Sequence, residues 1–94
     1  MIKSFKNKNT ERVFNRQHVK AFEETLLKAR LKLRTIDFAE ELNDLARTPG
    51  NRLEALSADR EGRHSIRINR KWRICFVWGA DNNAYDVEIN KHYE

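Results

Sequence analysis

The sequence predicts an α+β fold in which an N-terminal strand and two antiparallel helices pack on a mostly antiparallel C-terminal β-sheet. Three observations carry that expectation. Apolar residues recur at spacings of three and four between His18 and Leu45, they alternate at a spacing of two between His64 and Asn90, and Thr48-Pro49-Gly50 separates the two regimes. In order, Ile2 to Phe5 alternates and reads as an edge strand, while Asn7 to Arg16 is polar, without a clear pattern, and expected to be mobile. From His18 to Arg34, Val19, Phe22, Leu26, Ala29 and Leu33 fall on one helical stripe. A second stripe, Phe38, Leu42 and Leu45, follows Thr35 as N-cap, with Asp37 in the first turn. Arg52 to Ser57, His64 to Asn69, Trp72 to Trp78 and Tyr85 to Asn90 read as strands, with a turn at Asp59 to Gly62.

Size and composition bound what such a chain can do. With 94 residues it is expected to form one domain, residues 1–94, too small for a second lobe with an interdomain cleft. No apolar run exceeds five residues, far below the ~20 of a membrane helix. The opening Met1-Ile2-Lys3-Ser4-Phe5-Lys6 lacks the apolar centre of a signal peptide, so a cytoplasmic protein that does not engage a membrane is expected. The lone Cys75 offers neither an internal disulfide nor a cysteine zinc site, and no metal or other cofactor is expected. His18 and His64 have no metal-ligand spacing and read as a helix-surface and a strand-end residue.

The charge is concentrated. The chain carries 19 Lys and Arg against 14 Asp and Glu, a net +5. Residues 60–73 hold Arg60, Arg63, Arg67, Arg70, Lys71 and Arg73 against Glu61 alone, so this stretch holds the entire excess. Arginine dominates it, and the planar guanidinium fork suits phosphate oxygens. Keeping Ile68 and Trp72 on one face calls for the three-residue loop Asn69-Arg70-Lys71, which sets Arg67 directly across from Arg73. Two like charges across a ladder cost up to about 1 kcal/mol, which an anionic ligand would offset. The same parity sets Phe76 against Val87, Ile74 against Ile89 and Asn90 beside Arg73, with Glu88 and His92 on the diagonals. Arg67, Arg73, Glu88 and His92 then line one sheet face, with Arg70 and Lys71 at its rim, a basic patch with an imidazole suited to gripping a phosphodiester and moving a proton. Plainer readings stand beside this: a solvated terminal His92, an inward Tyr93, a snorkelling Lys91, and Glu88 as a salt-bridge partner of Arg73. Trp72 and Trp78 read as core rather than as a base-stacking platform, and Cys75 lacks the neighbours of a nucleophile.

The segments Pro49 to Leu56, Gly62 with His64-Ser65-Ile66-Arg67-Ile68-Asn69, Trp72-Arg73-Ile74-Cys75-Phe76 and Asp86-Val87-Glu88-Ile89 together resemble the HigB-type toxins of the RelE/ParE toxin-antitoxin superfamily. Ile2-Lys3-Ser4-Phe5 is similar to the way many of these toxins begin. The resemblance implies a RelE-like fold and a ribosome-dependent endoribonuclease that cleaves translated messenger RNA by metal-independent 2′-OH attack. It also implies a HigA-like helix-turn-helix antitoxin whose complex with the toxin contacts operator DNA. Arg73 matches the arginine that serves the scissile phosphate in the RNase members. Together with the register argument, this gives a catalytic set of Arg73, Arg67, Glu88, His92 and Tyr93, with Arg52, Arg63, Arg70, Lys71 and Lys91 expected on the RNA. The better-known RNase members carry a His and a Lys on the strand that here holds Glu54 and Ser57, and commonly end Asp-Tyr-His where this chain has Lys91-His92-Tyr93. Two alternatives therefore stay open: a non-catalytic ParE-like gyrase inhibitor, and a ribosome- or RNA-binding module.

Overall fold

The run Trp72 to Trp78 alternates between two faces, and in the computed structural model it is an inner strand of a four-stranded antiparallel sheet. The structure describes residues 1–56 and 62–91. The strands are β1 (Glu54–Ala55), β2 (Arg63–Arg67), β3 (Trp72–Trp78) and β4 (Ala84–Lys91), adjacent in that order. The helices are α1 (Lys8–Phe14), α2 (Leu26–Phe38), preceded by a 3₁₀ helix at Lys20–Thr25, and α3 (Leu42–Arg47). Ile66, Ile74 and Ile89 are aligned across three strands and are buried together with Phe76, Val87 and the helical residues Val13, Ala29, Leu33, Ile36 and Leu45. Burying each large apolar side chain is worth about 1.5–3 kcal/mol, and a one-residue slip of any strand would forfeit its whole set.

The expected register holds at Arg67 and Arg73, at Ile74 and Ile89, and at Arg73 and Asn90. The expected pairing of Phe76 with Val87 gives way to a bulge, where the ladder shifts between Cys75 and Val77. Asp86 takes φ 51 there, and its N–H, freed from the ladder, donates to Ser4 Oγ at 2.9 Å. The rest of this β4 edge is closed by the chain's first ten residues. Ala84 N donates to Met1 O (2.9 Å), Val87 N to Ser4 O (3.1 Å) and Ile89 N to Thr10 Oγ1 (3.0 Å). Ile2 and Phe5 hold the predicted edge position as two isolated parallel bridges, interrupted by the bulge.

Three helical expectations are corrected. Asn7 to Arg16 is not a mobile stretch: Asn7 Oδ1 caps α1 by accepting from Thr10 N and from Thr10 Oγ1, and the buried Thr10 ties the helix to β4. The helix expected over His18 to Arg34 starts instead as a 3₁₀ turn, because Val19, Phe22 and Thr25 are buried at the three-residue spacing of that helix, with Phe22 edge-on to Trp72 at 5.2 Å. Thr35 is not a cap. Its hydroxyl donates to Leu31 O within α2, which continues to an exposed Phe38. The break falls after Phe38, and the Asp44 carboxylate reaches back to the N–H groups of Glu41 (3.1 Å) and Glu40 (3.0 Å) to start α3. Of the strand expected over Arg52 to Ser57, the described residues form only β1, and Arg52 precedes it in a left-handed conformation, φ 47, away from extended backbone; Ser57 lies outside the described residues. Of the predicted turn Asp59 to Gly62, only Gly62 is among the described residues.

After Pro49-Gly50 the fully buried Asn51 joins three elements. Its Nδ2 donates to Leu45 O of α3 (3.1 Å), its Oδ1 accepts from Lys32 Nζ of α2, and its carbonyl accepts from Arg67 N of β2 (2.6 Å). Burial, reinforced by the charge of Lys28, pulls Lys32 below the ordinary lysine range.

Asn51→Ala leaves the Leu45 carbonyl and the Lys32 ammonium without their partner, and is expected to cost about 1–3 kcal/mol in urea denaturation. The Asp44 carboxyl is held below its ordinary 3.8 by the Glu41 N–H, then by Arg47 and the Glu40 N–H. A lowered carboxyl stabilises fully above its ordinary value, and that contribution disappears as pH falls through the native one. The thermal midpoints of wild type and Asp44→Asn are therefore expected to differ near neutrality and to converge as pH falls through the lowered Asp44 value.

Candidate functional site

The sheet face turned away from the helices carries two cross-strand rows. Arg67, Arg73 and Asn90 form one, and Glu54, Ser65, Cys75 and Glu88 form the other. At the Arg67 end lies a cleft of about 310 Å³, lined by Arg52, Arg67, Arg70 and Arg73, with Glu54, Ser65 and Asn69 among its other walls. Four guanidinium groups and one carboxylate around a cleft of this size suit an anion with several oxygens.

Local geometry explains how each arginine reaches the cleft. Arg67 and Arg73 are opposed because the Ile66 and Ile74 pair, one residue along on the buried face, locks the register. The loop that follows β2 is shaped by Asn69, whose Oδ1 accepts from Lys71 N and Trp72 N, both at 2.9 Å, while its Nδ2 donates to Thr25 Oγ1 at 3.1 Å. Arg70 is thereby held at the turn. Arg52 follows the anchored Asn51 in a left-handed conformation. Asn51 and Asn69 were not singled out from sequence. An Asn opening a three-residue hairpin loop was a readable signal for Asn69, whereas nothing local marks Asn51 as buried.

The other end of this face is neutralised. Glu88 keeps its expected diagonal to Arg73, opposite Cys75, but its carboxylate accepts from Arg63 Nη2 at 2.9 Å, with Lys6 Nζ at 3.6 Å. The Arg63 and Glu88 side chains are only 8% and 13% exposed. Arg63, expected on the RNA, lies on the outer face by alternation, with its guanidinium buried against the Glu88 carboxylate. Cys75 sits between the two ends, and burial pushes its thiol up despite the nearby Arg63, so it stays protonated and is a poor nucleophile at neutral pH.

Lys71 and Lys91 do not line the cleft. Each Nζ lies 5.8 Å from the Trp72 ring centroid, and Lys71 approaches Glu24 at 3.4 Å. Trp72 Nε1 also donates to Glu24, and this bond, followed by Lys71, holds the Glu24 carboxyl below the ordinary carboxylate range. Trp72 belongs to the core, as expected. His18 pairs with Glu23 at 3.2 Å on the surface, and His64 Nδ1 lies 2.8 Å from Gly62 O with its ring stacked on Phe76. His92 and Tyr93 lie outside the described residues, as does Ser57. Among the described residues no group of three His, Cys, Asp or Glu side chains is placed to hold a metal ion, and no helix is long and apolar enough to cross a membrane.

A family model for HigB-like toxins, described as the RelE-like toxin of the type II toxin-antitoxin system HigB, matches residues 3–92. Toxin HigB-1 of Vibrio cholerae serotype O1 (strain ATCC 39315 / El Tor Inaba N16961) is 38% identical over 61 residues, a stretch covering 65% of this chain and 63% of that protein's length. Among solved structures, a chain of the YoeB-YefM complex from Staphylococcus aureus aligns with a TM-score of 0.59 at 21% identity, covering 99% of both chains, a likeness of fold.

The neutralised end makes its own prediction. Glu88→Leu strands a buried guanidinium and is expected to cost about 3–5 kcal/mol, whereas adding Arg63→Met should recover most of that loss. Urea denaturation of the two single variants and the double variant measures the coupling.

Proposed function

We propose that this chain, which belongs to the HigB-like family of RelE-like toxins of type II toxin-antitoxin systems, is a ribosome-dependent endoribonuclease that cuts translated messenger RNA and so arrests growth. The observation that carries this reading is the Arg67 and Arg73 pair, opposed across the ladder inside a cleft that Arg52 and Arg70 also line. Like charges directly across a ladder repel by up to about 1 kcal/mol, and such a pair matches the charge that builds on a phosphate under attack.

In the proposed reaction the ribose 2′-oxygen attacks the adjacent phosphorus and the bond to the 5′-oxygen breaks, leaving a 2′,3′-cyclic phosphate and a 5′-hydroxyl. Arg73 and Arg67 bind the non-bridging oxygens and stabilise the phosphorane. The 2′-proton goes to His92, because Glu88, the other candidate, is engaged by Arg63 and Lys6. Tyr93 or Lys91 donates to the departing 5′-oxygen. The roles of His92 and Tyr93 rest on their positions just beyond Lys91, which pairs with Trp72 beside the arginine row. Each step uses side chains alone, without a cofactor. The ribosome supplies in-line geometry by fixing the codon, and such orientation is worth several kcal/mol, about 7–11 in the most favourable intramolecular cases. The partners are the ribosome with its message and, in the cytoplasm, a helix-turn-helix antitoxin whose complex with this chain binds operator DNA.

Glu54 favours a second reading. It places an anion in the cleft, on the strand where the RNase members carry a histidine. A gyrase inhibitor on the same fold would need no phosphate-transfer machinery.

On purified translating ribosomes, Arg73→Ala is expected to slow message cleavage by about 100-fold or more, and Arg67→Ala by a smaller factor. Equal cleavage by wild type and Arg73→Ala removes Arg73 from the reaction. Mapping transcript 5′ ends after induction separates the two readings: new ends inside translated frames support the nuclease, and DNA damage with intact messages supports gyrase inhibition.

A further inference from the structure

The outer face of α2 carries an apolar stripe that the fold does not use. Ala29, Leu33 and Ile36 point into the core, while Leu27, Leu31 and Phe38 are 76%, 68% and 73% exposed. Leu27, Leu31, Arg34 and Phe38 recur at spacings of four, three and four, the step of one helical face, and the stripe runs about 16 Å along the axis. Beside Leu27 and Leu31 lies a groove of about 470 Å³ whose other walls are Phe14, Arg16, Arg30 and Arg34. Large exposed apolar side chains clustered in this way mark an interaction surface.

The walls say what kind of partner fits. Every charged residue lining the groove is an arginine. Arg30 is pinned, its Nε donating to Val13 O at 3.1 Å and its Nη2 to Gln17 O at 2.9 Å, and Arg34 lies over the Phe14 ring at 5.8 Å. These cations are ordered before any partner arrives, which lowers the entropic cost of pairing with carboxylates. A second copy of this chain would set arginine against arginine across a two-fold axis, so self-association is opposed.

We propose that this face of α2 docks an amphipathic helix of the antitoxin, with an apolar stripe seated on Leu27, Leu31 and Phe38 and flanking carboxylates on Arg16, Arg30 and Arg34. The proposal rests on the antitoxin reading given above. Because the stripe points away from the sheet, a helix bound here leaves the basic cleft uncovered, and a different part of the antitoxin must restrain the toxin's activity.

The test is titration of the chain with the antitoxin encoded in its own operon. Leu27→Asp/Leu31→Asp is expected to weaken binding by at least about tenfold, and the wild-type affinity should fall as salt rises. Since both leucines are exposed, message cleavage by the free variant should match wild type. Failure of the wild-type chain to bind the antitoxin overturns the partner reading and the proposal together; equal binding by wild type and variant overturns the docking surface alone. Sedimentation of the free chain and flotation with phosphatidylglycerol vesicles close the remaining routes. A dimer or a vesicle complex that the variant abolishes, with antitoxin binding untouched, assigns the face to that occupant and overturns the proposal.

Discussion

Two guanidinium groups held opposite each other repel, and the position of the candidate site depends on the register that keeps them there. That register is not set on the basic face. It is set on the opposite side of the same strands, where Ile66, Ile74 and Ile89 interlock and where a one-residue slip would expose the alternating core set. Asn51 supports it from the end of β2 by accepting the Arg67 N–H, and Asn69 fixes the turn that brings β3 back. Burying each of these isoleucines is worth about 1.5–3 kcal/mol, which exceeds a like-charge penalty of up to about 1 kcal/mol. The hydrophobic core thus holds the two arginines opposite each other against their mutual repulsion.

Charge on the outer sheet face is also sorted along the strands. At one end Glu88 is enclosed by Arg63 and Lys6, which gives structural cohesion and little field. At the other, Arg52, Arg67, Arg70 and Arg73 surround a cleft containing one carboxylate, Glu54. Net charge alone does not separate these roles; burial does. Arg63, enclosed with its counter-ion, is part of the framework, whereas Arg52, Arg67, Arg70 and Arg73 line the cleft.

Much of this was legible in the sequence, for reasons that differ by element. The meander was readable because Ile66, Ile68, Trp72 and Ile74 keep one face, and parity then placed Arg67 against Arg73, whereas the bulge that displaces Val87 from Phe76 has no such signal. The helical half was read less well. Val19, Phe22, Leu26, Ala29 and Leu33 fit one α-helical stripe almost as well as a 3₁₀ turn leading into a helix, and only the packing of Phe22 on Trp72 decides between them. The α1 segment escaped notice because its stability comes from Thr10, whose hydroxyl bonds to a residue 79 positions away. Of the site, the arginines at the cleft were readable. The burial of Arg63 was not, because it depends on Glu88 and Lys6, which approach from distant parts of the chain.

The sealing of β4 by the chain's first ten residues has a consequence for how the protein is made. Those residues are synthesised early, yet the groups that satisfy them at Ala84, Val87 and Ile89 are translated last among the strands. At about 5–20 residues per second, Thr10 waits roughly 4–16 s for its acceptor-seeking amide to be polymerised. High contact order of this kind slows folding, because loop-closure entropy must be met before the closing contacts form. A chain built this way cannot seal its β4 edge until that last strand has been made, so the order of synthesis and the order of contact formation run opposite to one another.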